Sequence, residues 1–192
     1  MEQPSPPSSE FPVIPLRDAP GERSAWGRGR LVVYAWGLCE WLFVTNALQV
    51  SSRVRVFVLR CFGARVGRGV IFRPRTRVRF PWKLTIGDNC WIGEGVWIHN
   101  QDDVVVGDDV VLSQETMITT GSHAHRVDMA LVTAPVKIEA GAWITSRCMI
   151  LGGVTIGRAT LVAPMSVVTT NLPPGVIARG NPAVVTGPRF GG

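Results

Sequence analysis

From Val66 onward, a large apolar residue returns at every sixth position. Val66, Phe72 and Val78 form one triplet, and Ile86, Ile92 and Ile98 form the next. Val106, Leu112 and Ile118 follow, then Ile138, Ile144 and Ile150, then Ile156, Val162 and Val168. Four places after each, the residue is usually small, as at Thr76, Cys90, Thr116, Ser122, Ala142, Cys148, Thr160 and Ser166. Trp82, Asp102 and Leu172 break that rule, and all stand at the ends of triplets or of the whole run. A six-residue unit with one inward aliphatic and one small residue predicts a short strand and a tight corner. Three units close a triangular coil. Stacked coils pair their strands in parallel and bury the ladder that one coil alone would expose. The pattern therefore predicts an all-β fold, a parallel β-helix of about five coils over residues 63–172. Two extra residues separate each of the first three triplets, and fourteen separate Ile118 from Ile138. The long gap predicts an excursion loop over 119–137. It opens with TTGSHAHR, which holds two of the three histidines.

Upstream the period is different. Leu31–Val44, LVVYAWGLCEWLFV, is strongly apolar but carries Glu40 and is too short to span a bilayer. With SSRVRVFVLRC at 51–61 it predicts a helical segment over 30–62, capped at the second helix by Ser51 or Ser52. Such a segment packs on its own domain, on a partner subunit or, through residues 31–61, peripherally on a membrane. Residues 1–29 are rich in Pro, Ser and Gly and are expected to be a flexible N-terminal arm. No basic stretch leads into an apolar core there, so no signal peptide is expected and a cytoplasmic location follows. Residues 173–192 form a C-terminal tail.

Composition narrows the chemistry. Hydrophobic residues make up 46% of 192, with 21 Gly and 14 Pro, which suits a turn-rich globular chain. Cys39, Cys61, Cys90 and Cys148 lie far apart without a CxxC, which excludes a disulfide framework or a zinc ribbon. The net charge is +6, and ten cations fall between Arg53 and Lys83 with no acid among them. Such a block favours an anionic partner. Arg73, Arg75, Arg77 and Arg79 alternate, so one strand would turn all four to one side. With no recognition motif and little aromatic interleaving, nucleic acid is not expected. No metal is expected either: on an extended segment His123 and His125 point opposite ways.

Seven stretches carry a family resemblance: FGARVG at 62–67, IGDNCWIGEGVWIHN at 86–100, VGDDVVLSQ at 106–114, TGSHAH at 120–125, GAWITSR at 141–147, GGVTIG at 152–157 and VVTTNLPPGVIARGNPA at 167–183. Together they resemble the hexapeptide-repeat acyltransferases, and within them the sugar O-acetyltransferases of the colanic-acid-biosynthesis type. The resemblance covers roughly residues 30–190. It implies a left-handed coil, acetyl-CoA as acyl donor, and a homotrimer with active sites between subunits. The implied acceptor is a sugar or glycolipid hydroxyl in polysaccharide or glycolipid synthesis. Two rival readings of the fold are a non-catalytic scaffold and a metal-dependent hydratase of the carbonic-anhydrase type.

Acetyl transfer requires a base for the attacking hydroxyl, donors for the developing oxyanion, and two substrates held together. Histidine suits the first task. The resemblance makes His123 the general base, with His125 and Asn100 toward the acceptor. It sets Trp143 and Ser146 along the pantetheine arm, Ala163, Pro164 and Thr169 one coil further, and Arg179 toward the phosphates. The tail then completes the CoA site. The chain departs from the family at three places. Ala124 stands where an acid usually follows the histidine, leaving Glu115, Asp128 or a backbone carbonyl to orient the ring. Pro164 has no N–H to donate. Val184 replaces a basic residue, with Arg179 or Arg189 as substitutes.

Overall fold

The computed structural model describes residues 12–191, so residues 1–11 of the expected arm and Gly192 lie outside the description. The helical segment consists of α1 (Arg30–Cys39), a π-helical turn over Glu40–Thr45, and α2 (Ser52–Cys61). The Ser51 hydroxyl accepts the Val54 N–H at 3.4 Å and caps α2. Coil one then holds β1 (Arg65–Val66), β2 (Ile71–Phe72) and β3 (Arg77–Val78). Coil two holds β4 (Leu84–Ile86), β5 (Trp91–Ile92) and β6 (Trp97–His99). Coil three holds β7 (Val104–Val106), β8 (Val111–Leu112) and β9 (Met117–Thr119). The excursion contributes β10 (Gly121–His123) and β11 (Leu131–Thr133). Coil four holds β12 (Val136–Ile138), β13 (Trp143–Ile144) and β14 (Met149–Leu151), and coil five holds β15 (Thr155–Ile156), β16 (Leu161–Val162) and β17 (Val167–Val168). Finally β18 (Val176–Gly180) adds to the second sheet beside β16 and pairs antiparallel with β19 (Ala183–Pro188). Leu172 bridges to Ile156, so the tail begins a sixth turn.

The six-residue ladder is the register of the sheets. Val66, Ile86, Val106, Ile138 and Ile156 stack on the first face. Phe72, Ile92, Leu112, Ile144 and Val162 stack on the second. Val78, Ile98, Ile118, Ile150 and Val168 stack on the third, and all three rows are buried. Three places after each ladder residue of the first two faces, and after Ile150 on the third, the backbone turns with positive φ. Glycine supplies this at 69, 95, 141 and 153, while Arg75, Asn89, Asp109, Glu115, Arg147, Ala159 and Met165 adopt φ of 56–61°. The next residue turns inward, where only a modest side chain fits. Ser122 departs from this: the period expects it inward, but it lies exposed on β10.

The first coil of a solenoid leaves its outer edge unpaired. The helices close that edge. Val78 gives its N–H to the Glu40 carboxylate at 2.6 Å and receives the Trp36 indole N–H at 2.9 Å. Phe72 gives its N–H to the Ser52 hydroxyl at 2.7 Å and receives Arg55 at 3.4 Å. Arg60 reaches the carbonyls of Val66 at 2.6 Å and Gly67 at 2.7 Å. Trp36, Val44, Val56 and Leu59 fill the end of the core. The helical segment is therefore a cap.

Two expectations change. Within the arm, Glu22–Ala25 forms a 3-10 turn packed on the lengthened corners of coils one and two. Lys83 Nζ donates to the carbonyls of Ala25 at 2.7 Å and Gln101 at 2.6 Å, and Glu22 pairs with Arg79. The arginine series does not share a face, because a corner at Arg75 divides it between two sheets. Arg75 pairs with Glu94 at 3.2 Å, and the Arg77 guanidinium lies 4.5 Å over the Trp97 ring.

Candidate active site

The chain leaves the third face after β9 as an antiparallel hairpin in which His123 stands opposite Leu131. Glycine is needed at its base. A Cβ on Gly121 would run into the Gln101 side chain, and one on Gly152 would lie 2.9 Å from the Thr120 carbonyl and 3.0 Å from that of Ala134. The loop closes on itself. The Ala124 carbonyl accepts the N–H groups of Val127 at 2.9 Å and Met129 at 3.1 Å, and the Asp128 carboxylate accepts that of Ala130 at 2.9 Å. Met129 turns with φ 59°, and its carbonyl lies 2.8 Å from His123 Nδ1. A carbonyl only accepts, so Nδ1 carries the proton, and in the neutral ring the lone pair is then on Nε2. That is the tautomer a general base requires. Of the three candidate orienting groups, a backbone carbonyl touches the ring, Asp128 braces the loop, and Glu115 is paired with Arg147. His125 is exposed, with Nδ1 3.3 Å from the His123 carbonyl.

A groove of about 680 Å³ runs along the second sheet and the corner after it. Trp143, Ser146 and Pro164 meet there, together with Arg73, Trp91 and Gln114. The Trp143 indole N–H donates to the Ser113 hydroxyl at 3.0 Å, and Ser146 donates to Gln114 at 3.0 Å. Thr169 lies elsewhere, in a cavity of about 310 Å³ at the hairpin base with Gly121, Ser122 and Gly152. Ala163 spends its N–H on the Ala178 carbonyl at 2.8 Å. Arg179 is exposed on β18. Within one chain the histidine and the groove lie at different corners.

Asn100 is fully buried. Its Oδ1 accepts the Phe80 N–H at 3.0 Å and its Nδ2 donates to the Phe80 carbonyl at 2.7 Å. Both ends of the amide thus hold the lengthened corner of coil one, and the side chain has no exposed surface. Its neighbour His99 is half-buried beside Thr119. Burial first, then Arg79, pushes the imidazole below its ordinary pKa, against the opposing pull of Glu22. Sequence reasoning passed over Trp91 and the Met129 carbonyl. Trp91 had a signal: like Trp143, it immediately precedes a ladder residue, which places both on one outer row. Among the described residues, no three His, Cys, Asp or Glu side chains gather as a metal site needs.

No protein-family model matches the chain. Individual relatives do. Over 160 residues, covering 83% of this chain and 88% of the other, it is 37% identical to the colanic acid biosynthesis acetyltransferase WcaF of Escherichia coli K12. The chain belongs to the hexapeptide-repeat acetyltransferases. It is also 30% identical over 126 residues to the galactoside O-acetyltransferase of the same organism, covering 64% of this chain and 62% of that one. Among solved structures, the hexapeptide-repeat acetyltransferase VCA0836 of Vibrio cholerae, complexed with acetyl-CoA, matches with a TM-score of 0.77 at 24% identity, covering 84% of this chain and 88% of that one. A galactoside acetyltransferase in complex with coenzyme A matches with a TM-score of 0.73 at 23% identity, over 88% of this chain and 83% of that one. These two likenesses bear on the fold, and it is the β-helix of this acetyltransferase family.

Proposed function

We propose that this acetyltransferase moves an acetyl group from acetyl-CoA to a sugar hydroxyl, with His123 as general base. The observation that carries the reading is the His123–Met129 hydrogen bond, which engages Nδ1 of an exposed ring and leaves Nε2 to act as the base. Nε2 takes the proton as the hydroxyl oxygen attacks the thioester carbonyl. The C–S bond then breaks, and the imidazolium returns the proton to the departing thiolate. A base so placed contributes about 10²–10⁴-fold. The relatives act under names that include colanic acid biosynthesis and galactoside acetylation, which supports a sugar acceptor in polysaccharide or glycolipid synthesis. Acetyl-CoA is a cytoplasmic metabolite, so the reaction belongs in the cytoplasm.

The groove receives the donor, and a second subunit supplies the histidine. The outer row of the second sheet is Ile71, Trp91, Val111, Trp143 and Leu161, and the third sheet turns out Arg77, Trp97, Met117, Met149 and Val167. The first sheet turns out Arg65, Thr85, Val105, Lys137 and Thr155. Two outer faces that are apolar apart from Arg77, and one largely polar face, suit a ring in which the second face of each subunit meets the third face of the next. We assign a homotrimer. The hairpin springs from the third face, so it would overhang the neighbour's groove, bringing His123 and His125 to the acceptor side. Arg73 and Arg179 are the cations available to the nucleotide phosphates.

Calorimetry with acetyl-CoA, desulfo-CoA and dephospho-CoA tests the donor. Binding near one per subunit, weaker without the phosphate, is expected, and no binding at millimolar ligand would sink the proposal. Mixing His123→Ala subunits with Trp143→Glu subunits tests the shared site. Activity should reappear in the mixture, because some interfaces regain an intact histidine and an intact groove.

A further inference from the structure

The cap has a second, outward face that the fold does not use. Trp36, Val44, Val56 and Leu59 point into the core, yet Leu31, Tyr34, Leu38 and Trp41 form a helical stripe that stays exposed. Leu31 is 85% exposed and Trp41 67%. On α2, Phe57 is exposed beside Val54, and Leu48 and Val50 are exposed on the connection between the helices. Eleven of the exposed large apolar residues lie between Leu31 and Phe57. Isolated exposed apolar residues are ordinary, but a contiguous helical patch marks an interaction site.

The charge of this end identifies the partner. From Arg23 to Gly87 the chain carries thirteen Lys and Arg against one acid, and the rest carries seven against thirteen. The one acid, Glu40, is turned inward to the Val78 N–H. Arg30 and Arg53 are exposed at the starts of α1 and α2, and Arg65 and Arg68 are exposed on coil one just beneath. We propose that the outer face of this helical cap docks on an anionic lipid membrane surface, with α1 and α2 lying in the interface. Apolar and aromatic side chains rimmed by arginines are what a headgroup boundary takes up. A second copy of the same face fits poorly, since docking two caps would oppose arginine to arginine. No described helix is long and apolar enough to cross a membrane, so the contact is peripheral. In a trimer with parallel coils the three caps share one end, and their contacts reinforce one another.

The test is co-sedimentation of the full chain with vesicles of phosphatidylcholine alone and of phosphatidylcholine mixed with phosphatidylglycerol. Binding is expected to the anionic vesicles and to fall steeply with added salt. Leu38→Glu with Trp41→Glu should lower it about tenfold or more, and Arg30→Glu with Arg53→Glu by a similar factor. Leu38→Ala with Trp41→Ala gives a milder comparison that leaves charge unchanged. All four residues are exposed, so thermal unfolding should match the parent. Failure to bind anionic vesicles would overturn the proposal. So would binding that survives the Leu38 and Trp41 substitutions. Self-association abolished by those substitutions, without lipid binding, would assign the face to a second copy instead. None of these readouts depends on acetyl transfer, so the proposed activity is tested separately.

Discussion

The loop around His123 makes a graded prediction. His123→Ala removes the base and should reduce turnover about 10²–10⁴-fold. Asp128→Ala leaves the histidine but removes the carboxylate that accepts the Ala130 N–H at 2.9 Å. One such bond contributes about 0.5–1.5 kcal/mol. Its loss loosens the Met129 carbonyl and, through it, the ring and tautomer of His123. The expected fall is therefore about two- to tenfold, in kcat more than in KM. Glu115→Gln should change little, because Glu115 is engaged with Arg147 at a coil corner and does not touch the ring. The assay is thiol release from acetyl-CoA across a panel of sugar acceptors, with kcat and KM separated. Parent-like turnover by His123→Ala would refute the base. A Glu115→Gln loss as deep as that of Asp128→Ala would refute the loop argument, since it would mean that orientation reaches the histidine by another route.

Two further predictions concern the cap. Arg55 is fully buried and donates to the carbonyls of Val44, Asn46, Gln49 and Phe72, with no carboxylate beside it. Arg55→Leu strands these acceptors while relieving a buried charge, so we expect a net loss of about 3 kcal/mol in chemical denaturation; a midpoint equal to the parent's would contradict this. Burial, the largest influence, holds the Glu40 carboxyl above its ordinary pKa, although the Val78 N–H, Arg77 and Arg79 pull the other way. A folded pKa above the unfolded one means that stability is lost as pH rises from about 4.5 through the folded value. Glu40→Gln keeps an acceptor for Val78 without the charge, so its melting temperature at pH 7 should equal or exceed the parent's, with the difference shrinking toward pH 4.

The ladder was legible because a solenoid is nearly one-dimensional. Each coil meets only its neighbours, so a period in the sequence becomes a register in space. What escaped lies where that mapping fails. FRPRTRVRF alternates like a strand, but Arg75 turns the corner at φ 57° without being glycine, and Pro74 before it was the available sign. Asn100 falls in a corner lengthened by two residues, outside the period, and nothing in WIHN says that its amide closes on Phe80. The partner of His123 is a backbone carbonyl, which no residue letter encodes. The docked turn at Glu22–Ala25 depends on Trp82, Lys83 and Gln101, which are far away in sequence and also lie in the lengthened corners.

Pro164 shows how a departure from the family can be weighed. At the corner after the second sheet, the rungs between coils are made by the residue that turns. Gly95, Glu115, Arg147 and Met165 donate their N–H to the carbonyls of Pro74, Glu94, Gln114 and Ser146. A proline just before the turning residue removes no rung. It also presets φ for a turn whose next residue, Met165, has φ 61°, the arrangement of a type II turn. What it removes is a donor at a position that lines the groove. Pro164→Ala should therefore act in opposite directions on two measurements. Stability should fall by about 0.4–1 kcal/mol, because the unfolded chain regains freedom. Acetyl-CoA affinity should rise about two- to tenfold, the value of one recovered hydrogen bond. A fall in stability with unchanged affinity would mean that the cofactor does not pass this corner. It would then move the donor toward the smaller cavity where Thr169 and Gly152 meet the hairpin base.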